Sequence, residues 1–151
     1  MSSSDSECWI RTNLRLRGLE ALRNRLNRFL RRPMNGLEYD MGAEVVSQVQ
    51  RRIEIEKTSP DGKAWAAWSP RYAKSSGHGP SLLVKSNHLL TSIEVQDQGG
   101  DVYVGSKLPY AATHQYGDPS RNIPARPYLG INESKPESLL RIIDDWVEAH
   151  L

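Results

Sequence analysis

The chain has 151 residues, 38% of them hydrophobic and 25% charged, with a net charge of +2 and a single cysteine, Cys8. That length favours one domain with a modest core, and no apolar run approaches the ~20 residues of a membrane helix. One cysteine excludes an internal disulfide and a cysteine-based zinc site, while the charge is unevenly spread: residues 1–32 carry +5 and residues 33–151 carry −3.

The opening "MSSSDSE" has no basic stretch followed by an apolar one, so no secretory signal is expected. Residues 1–9 read as a disordered lead, and residues 10–151 as one domain. From about Ile10 to Leu30, Leu19, Leu22, Leu26, Phe29 and Leu30 recur at helical spacing. Arg17, Arg25, Arg28, Arg31 and Arg32 fall mostly on the opposite face, and Pro33 marks the stop. A second helix is expected over about 37–57, where Met41, Val45, Val49 and Ile53 recur every four residues.

Residues 58–80 then lose all periodicity and read as one long loop, with Trp65 and Trp68 as anchors. Inside it, "SPDG" is a tight-turn sequence, because proline presets φ and glycine accepts a positive one. Ile93–Val95 and Val102–Val104, separated by a Gly-Gly turn, read as a β-hairpin. Pro109 opens a short helix that ends at Gly117. "RPYLGI" is a candidate third strand, for which Pro124 and Pro127 suggest an edge position or an extended approach to it. A last helix is expected over about 135–151, capped by Ser134, with Leu139, Leu140, Ile143, Trp146 and Val147 as its buried stripe. The fold class is therefore α+β: two N-terminal helices, a long loop, a small antiparallel sheet with a short helix, and a C-terminal helix.

The stretch "YAATHQYGDPSRNIPARPYLG", Tyr110 to Gly130, is dense enough in polar groups to resemble an active site. A hydrolase needs a converging nucleophile, base and acid. The chain offers no Gly-x-Ser-x-Gly elbow and no His-Glu-x-x-His pair, and its histidines at 78, 88, 114 and 150 lack metal-ligand spacing. His114 with Asp118 nearby is weak support for catalysis, so no catalytic, cofactor or metal residue is assigned. Stiff, proline-framed Arg126 points instead to a pinned loop or an interface. The arginines of the first helix suit phosphate or acidic-partner contact, or simply a solvated face.

Five short motifs follow one another in fixed order: "SPDGKAW" (59–65), "LLVKSNHLLTSI" (82–93), "VGS" (104–106), "YAATHQYG" (110–117) and "IPARPYLGI" (123–131). In this order they resemble the phage virion morphogenesis family, over about residues 37–151. That family includes tail completion proteins of P2-like phages and the morphogenesis protein of Mu-like phages. The resemblance implies a non-enzymatic structural protein of the virion neck, assembled in the host cytoplasm. It implies a fold similar to tail terminators and neck proteins, and a homo-oligomeric ring, usually a hexamer. Expected partners are further copies of the chain, adjacent neck, portal-side or tail-tube proteins, and passing DNA without sequence preference; no cofactor or membrane is implied. A small DNA-binding assembly or regulatory protein acting through the first helix is the alternative. One departure is visible: Asn87 and His88 stand where a glycine commonly precedes the leucine of the "LLTSI" run. Asparagine best replaces glycine in a left-handed backbone.

The residues expected at a subunit or neighbouring-ring interface are Trp65, Trp68, Tyr110, His114, Gln115, Tyr116, Arg126 and Tyr128. On this reading, Trp65→Ala and Arg126→Ala leave the fold intact and impair assembly.

Overall fold

A computed structural model describes residues 19–31, 35–75, 81–84, 87–98, 101–134 and 136–150. The chain divides into two compact units, Met1–Arg32 and Pro33–Leu151. The first contributes helix α1 (Leu19–Leu30). Its expected beginning at Ile10 lies outside the described residues, as do the lead, Arg17 and Arg32.

The second unit is built on α2 (Asn35–Arg51), which runs directly into a π-helical segment, Arg52–Glu56. The sequence predicts one regular helix to about Lys57. The last turn instead widens, and Lys57 N–H donates to Arg52 O at 2.9 Å, five residues back. Lys57 ends the segment in the left-handed region, with φ 55°. The widened turn lets consecutive residues face inward. Arg52 is 1% exposed and Ile53 is fully buried.

The loop that follows is less irregular than its composition predicts. Thr58 bridges Ala64 around the "SPDG" turn, where Gly62 has φ 86° and Asp61 accepts from Lys63 N–H. A short helix, α3 (Pro70–Ser75), corrects the single-loop expectation. Ser69 Oγ accepts from Tyr72 N–H at 3.3 Å and Pro70 occupies the first turn, which is a local start signal. None of its residues is buried, so no apolar stripe marked it.

Helix α4 (His88–Ser92) leads into the hairpin, β1 (Glu94–Gln98) against β2 (Asp101–Gly105). The pairing is antiparallel, with Val95 opposite Val104 and Gln96 opposite Tyr103. Asn87, just before α4, has φ 57°, the left-handed conformation that asparagine adopts more readily than other non-glycine residues. Helix α2 lies across both strands. Gly42 makes this approach possible: a Cβ there would stand 2.8 Å from Val102 Cγ1.

Helix α5 (Ala111–Tyr116) ends at Gly117, whose φ is 77°. A Cβ on Gly117 would meet Ala125 N at 2.7 Å, so the return of the chain needs glycine here. A 3₁₀ turn, Pro119–Arg121, follows, capped by Asp118. The last helix, α6 (Glu137–His150), packs on α2. Gln48 joins them, donating to Ser138 Oγ and accepting from Asn132 N–H, both at 3.1 Å. Leu139 is buried as expected, but Leu140 is 52% exposed and does not belong to the buried stripe. Ser134 bonds to Asn132 rather than to the start of the helix.

The expected third strand over "RPYLGI" is absent among the described residues, where the sheet has two strands. Pro124 and Pro127 have no N–H to give a ladder. Side chains take the neighbour strand's place, as set out below. The core gathers Val49, Ile53, Trp65, Leu83, Leu89, Ile93, Ala111 and Tyr128.

Candidate functional site

The segment 123–130 is held from four directions. Ile123 exchanges both main-chain bonds with Asp118, at 2.9 and 2.8 Å. Arg126 N–H donates to His114 O at 2.8 Å. Gln115 Oε1 accepts from Tyr128 N–H and Leu129 N–H, each at 3.0 Å. Trp65 Nε1 donates to Pro127 O at 2.9 Å. Arg52 donates from one guanidinium nitrogen to Tyr128 O at 2.6 Å and Gly130 O at 3.2 Å. Tyr128 completes the set, its hydroxyl donating to Ala111 O at 3.0 Å. Burial and the neighbouring Tyr116 push that phenol up to about 12.

Two arginines are therefore buried without a carboxylate hydrogen-bond partner among the described residues. Arg126, 3% exposed, donates to Ala66 O at 2.9 Å and Ala67 O at 3.1 Å, and lies 5.1 Å from the Trp68 ring centre. Arg52 keeps two guanidinium nitrogens without a hydrogen bond. Burial works against the charge of both, and only the negative field of Glu56 partly supports Arg52. A buried charge is tolerated where it is hydrogen-bonded, and here main-chain oxygens do that work.

Above this clasp the molecule opens a cavity of about 940 Å³. Trp68, Tyr72, Tyr110, His114, Arg121 and Arg126 are among its walls, with Leu83 and Leu89 buried at its base. Trp68 and Tyr72 meet with ring centres 4.7 Å apart, and Tyr110 meets His114 edge-on at 5.8 Å. Tyr72 and Tyr110 are 36% and 40% exposed. None of the described lining residues is acidic. Burial and the charge of Arg126 hold the His114 imidazole below its ordinary range, and its Nδ1 is buried with no hydrogen bond.

Asp118 does not orient His114. It caps the 3₁₀ turn, and the bonds it accepts from the Ser120 hydroxyl and from Arg121, each at 2.6 Å, bring its carboxyl down to about 2. Among the described residues no group of three metal-ligating side chains converges, and no helix is long and apolar enough to cross a membrane.

The expected interface residues thus part into three groups. Trp65 and Tyr128, 7% and 1% exposed, are core; Arg126 is buried beneath the cavity. The burial of Trp65 and Arg126 argues that both alanine variants would destabilise the fold, against the expectation that they leave it soluble. Gln115 clamps the 128–129 backbone. Trp68, Tyr110 and His114 wall the cavity, and Tyr116, 78% exposed, is not among its lining residues. In the other unit, Arg25, Arg28 and Arg31 are exposed on or just after α1. Sequence reasoning missed Arg52, Leu83 and Arg121. The readable signal was the two prolines, because a strand-like segment without ladder donors needs side-chain partners.

The phage virion morphogenesis family model matches residues 18–148. The chain is 32% identical over 122 residues to the G protein of Escherichia phage Mu, whose name ascribes it to capsid assembly; the match covers 74% of this chain and 78% of that one. It is also 32% identical over 71 residues to the Mu-like prophage FluMu G protein 2 of Haemophilus influenzae, covering 44% and 51% of the two chains. An uncharacterized protein of Methanocaldococcus jannaschii is 27% identical over 100 residues, covering 62% and 70%. No solved structure matches. With its motifs in order and the family model spanning nearly its whole length, the chain belongs to the phage virion morphogenesis family.

Proposed function

We propose that this chain is a structural protein of the virion neck, forming a ring that joins capsid to tail and lets DNA pass. Family membership supports a part in virion assembly. The observation that carries the finer reading is the exposed aromatic rim, Tyr72 and Tyr110, of a cavity with no acidic residue among its described walls, set on a pinned backbone. Exposed tyrosines beside arginine and tryptophan are the composition of a protein interface. Pinning the segment lowers the entropy lost when a neighbour docks. No converging acid–base set accompanies the rim, since Asp118 bonds Arg121 and Ser120 rather than His114. A ring needs two different, complementary surfaces on each copy.

The test is genetic and visual. Phage lacking this gene should yield filled heads and finished tails that fail to join, seen by electron microscopy. Joined, infectious particles without the protein would refute the neck role.

The exposed arginines of α1 favour a second reading, contact with DNA phosphates. Retention of purified protein on DNA should fall steeply with salt, and fall further when Arg25, Arg28 and Arg31 are changed to alanine. Equal retention of both proteins would remove this reading.

A further inference from the structure

We infer that the cavity beside α5 receives the acidic outer face of α6 from the next copy of this chain. The inference rests on the ring reading and names the two surfaces that would close it. The cavity supplies apolar walls, no described acidic residue among them, and two arginines: Arg121, already paired with Asp118, and Arg126, which has no carboxylate partner among the described residues. It therefore fits an apolar anchor flanked by carboxylates. Several exposed apolar side chains of the chain stand near acids, and chemistry separates them. Ile55 is 70% exposed, but its neighbours Glu54 and Glu56 lie in the fields of Lys57 and Arg52. Tyr103 is 54% exposed, but Glu94 on the hairpin is paired with Lys107 at 2.8 Å. Tyr39 has acids only at adjacent positions, which point away from it on a helix.

Leu140 differs. It is 52% exposed, with Glu137 three residues before it and Asp144 four after, on one face of a 14-residue helix. Asp144, Asp145 and Glu148 are exposed, and no ion pair within the described residues engages them. A helix laid into a groove through one apolar anchor and a charged flank is a common recognition mode. None of the described cavity residues belongs to α6. Donor and acceptor are thus different patches, as a head-to-tail contact requires. A carboxylate arriving near Arg126 meets a cation that has no carboxylate partner among the described residues.

Two variants test this, read by sedimentation velocity beside thermal melting. Ala67→Trp fills the cavity mouth from an exposed position and leaves the main-chain oxygen that Arg126 uses. Leu140→Arg/Asp144→Lys reverses the α6 face at two exposed positions and tests the contact even should Ala67→Trp fold poorly. Each should weaken self-association at least tenfold with an unchanged melting temperature, and raised salt should weaken the wild type. Mixed together, the two should form a one-to-one dimer, because one good cavity then meets one good α6. Assembly of the α6 variant like the wild type, or no dimer from two folded variants, overturns the docking alone. A wild type that stays monomeric overturns both the docking and the ring.

Discussion

The β1–β2 hairpin and the segment from Ile123 to Gly130 are both extended, yet they satisfy their main chains in opposite ways. The hairpin pairs five residues with five, strand to strand. The proline segment has an isolated bridge at Ile123, and beyond it relies on Arg52, Trp65, Gln115 and the His114 carbonyl. A ladder tolerates side-chain change because main-chain atoms make it. A clasp made by side chains concentrates stability in a few residues, and the segment they hold supplies Ile123, Pro124 and Arg126 to the cavity wall.

Substitutions should divide along that line. Trp65→Ala should have the largest effect, about 4 kcal/mol of unfolding free energy, because it removes a buried indole and the donor to Pro127 O. Arg52→Ala comes next, at about 3 kcal/mol, since it strands the oxygens of Tyr128 and Gly130 in the interior. Denaturant titration measures both; losses below about 1 kcal/mol would mean the segment is held by something else. Gln115→Ala should cost about 2 kcal/mol and speed hydrogen exchange at the Tyr128 and Leu129 amides. Gln115→Glu keeps the acceptor oxygen and should restore most of that protection. On the hairpin, Gln96→Ala should change stability by no more than about 0.5 kcal/mol.

The smallest effect is a pH dependence. His114 titrates below its ordinary value in the folded chain, so the unfolded chain takes up the proton first as pH falls. Stability is then lost from about pH 6.5, the ordinary histidine value, down to the lowered one. His114→Gln should flatten this part of a melting-temperature profile. Asp118 acts in a separate, lower window: its stabilisation is present above the ordinary carboxylate range and is lost as pH falls toward about 2.

The two regions also differ in how far they could be read in advance. The hairpin announces itself by alternation around Gly-Gly, and α2 and α6 by apolar spacing, because each is governed by local periodicity. The left-handed Asn87 was legible from the resemblance, which places a glycine near this position. The π-helical turn, by contrast, depends on where Arg52 must point, and its partners at Tyr128 and Gly130 lie more than seventy residues away. The apparent third strand failed because extended conformation and ladder pairing are separate properties, and prolines permit the first while blocking the second. The cavity needs Trp68, His88, Tyr110 and Arg126 to converge from separate elements, which no spacing along the chain encodes. The residues expected at an interface were grouped by composition, yet their division into clasp and cavity wall depends on burial.

Everything proposed about function depends on whether the rim of this pinned corner meets another copy. The most direct measurement is the mass of the purified wild-type chain in solution by light scattering over a wide concentration range. A closed hexameric assembly is the predicted result. A monomer at every concentration would contradict it.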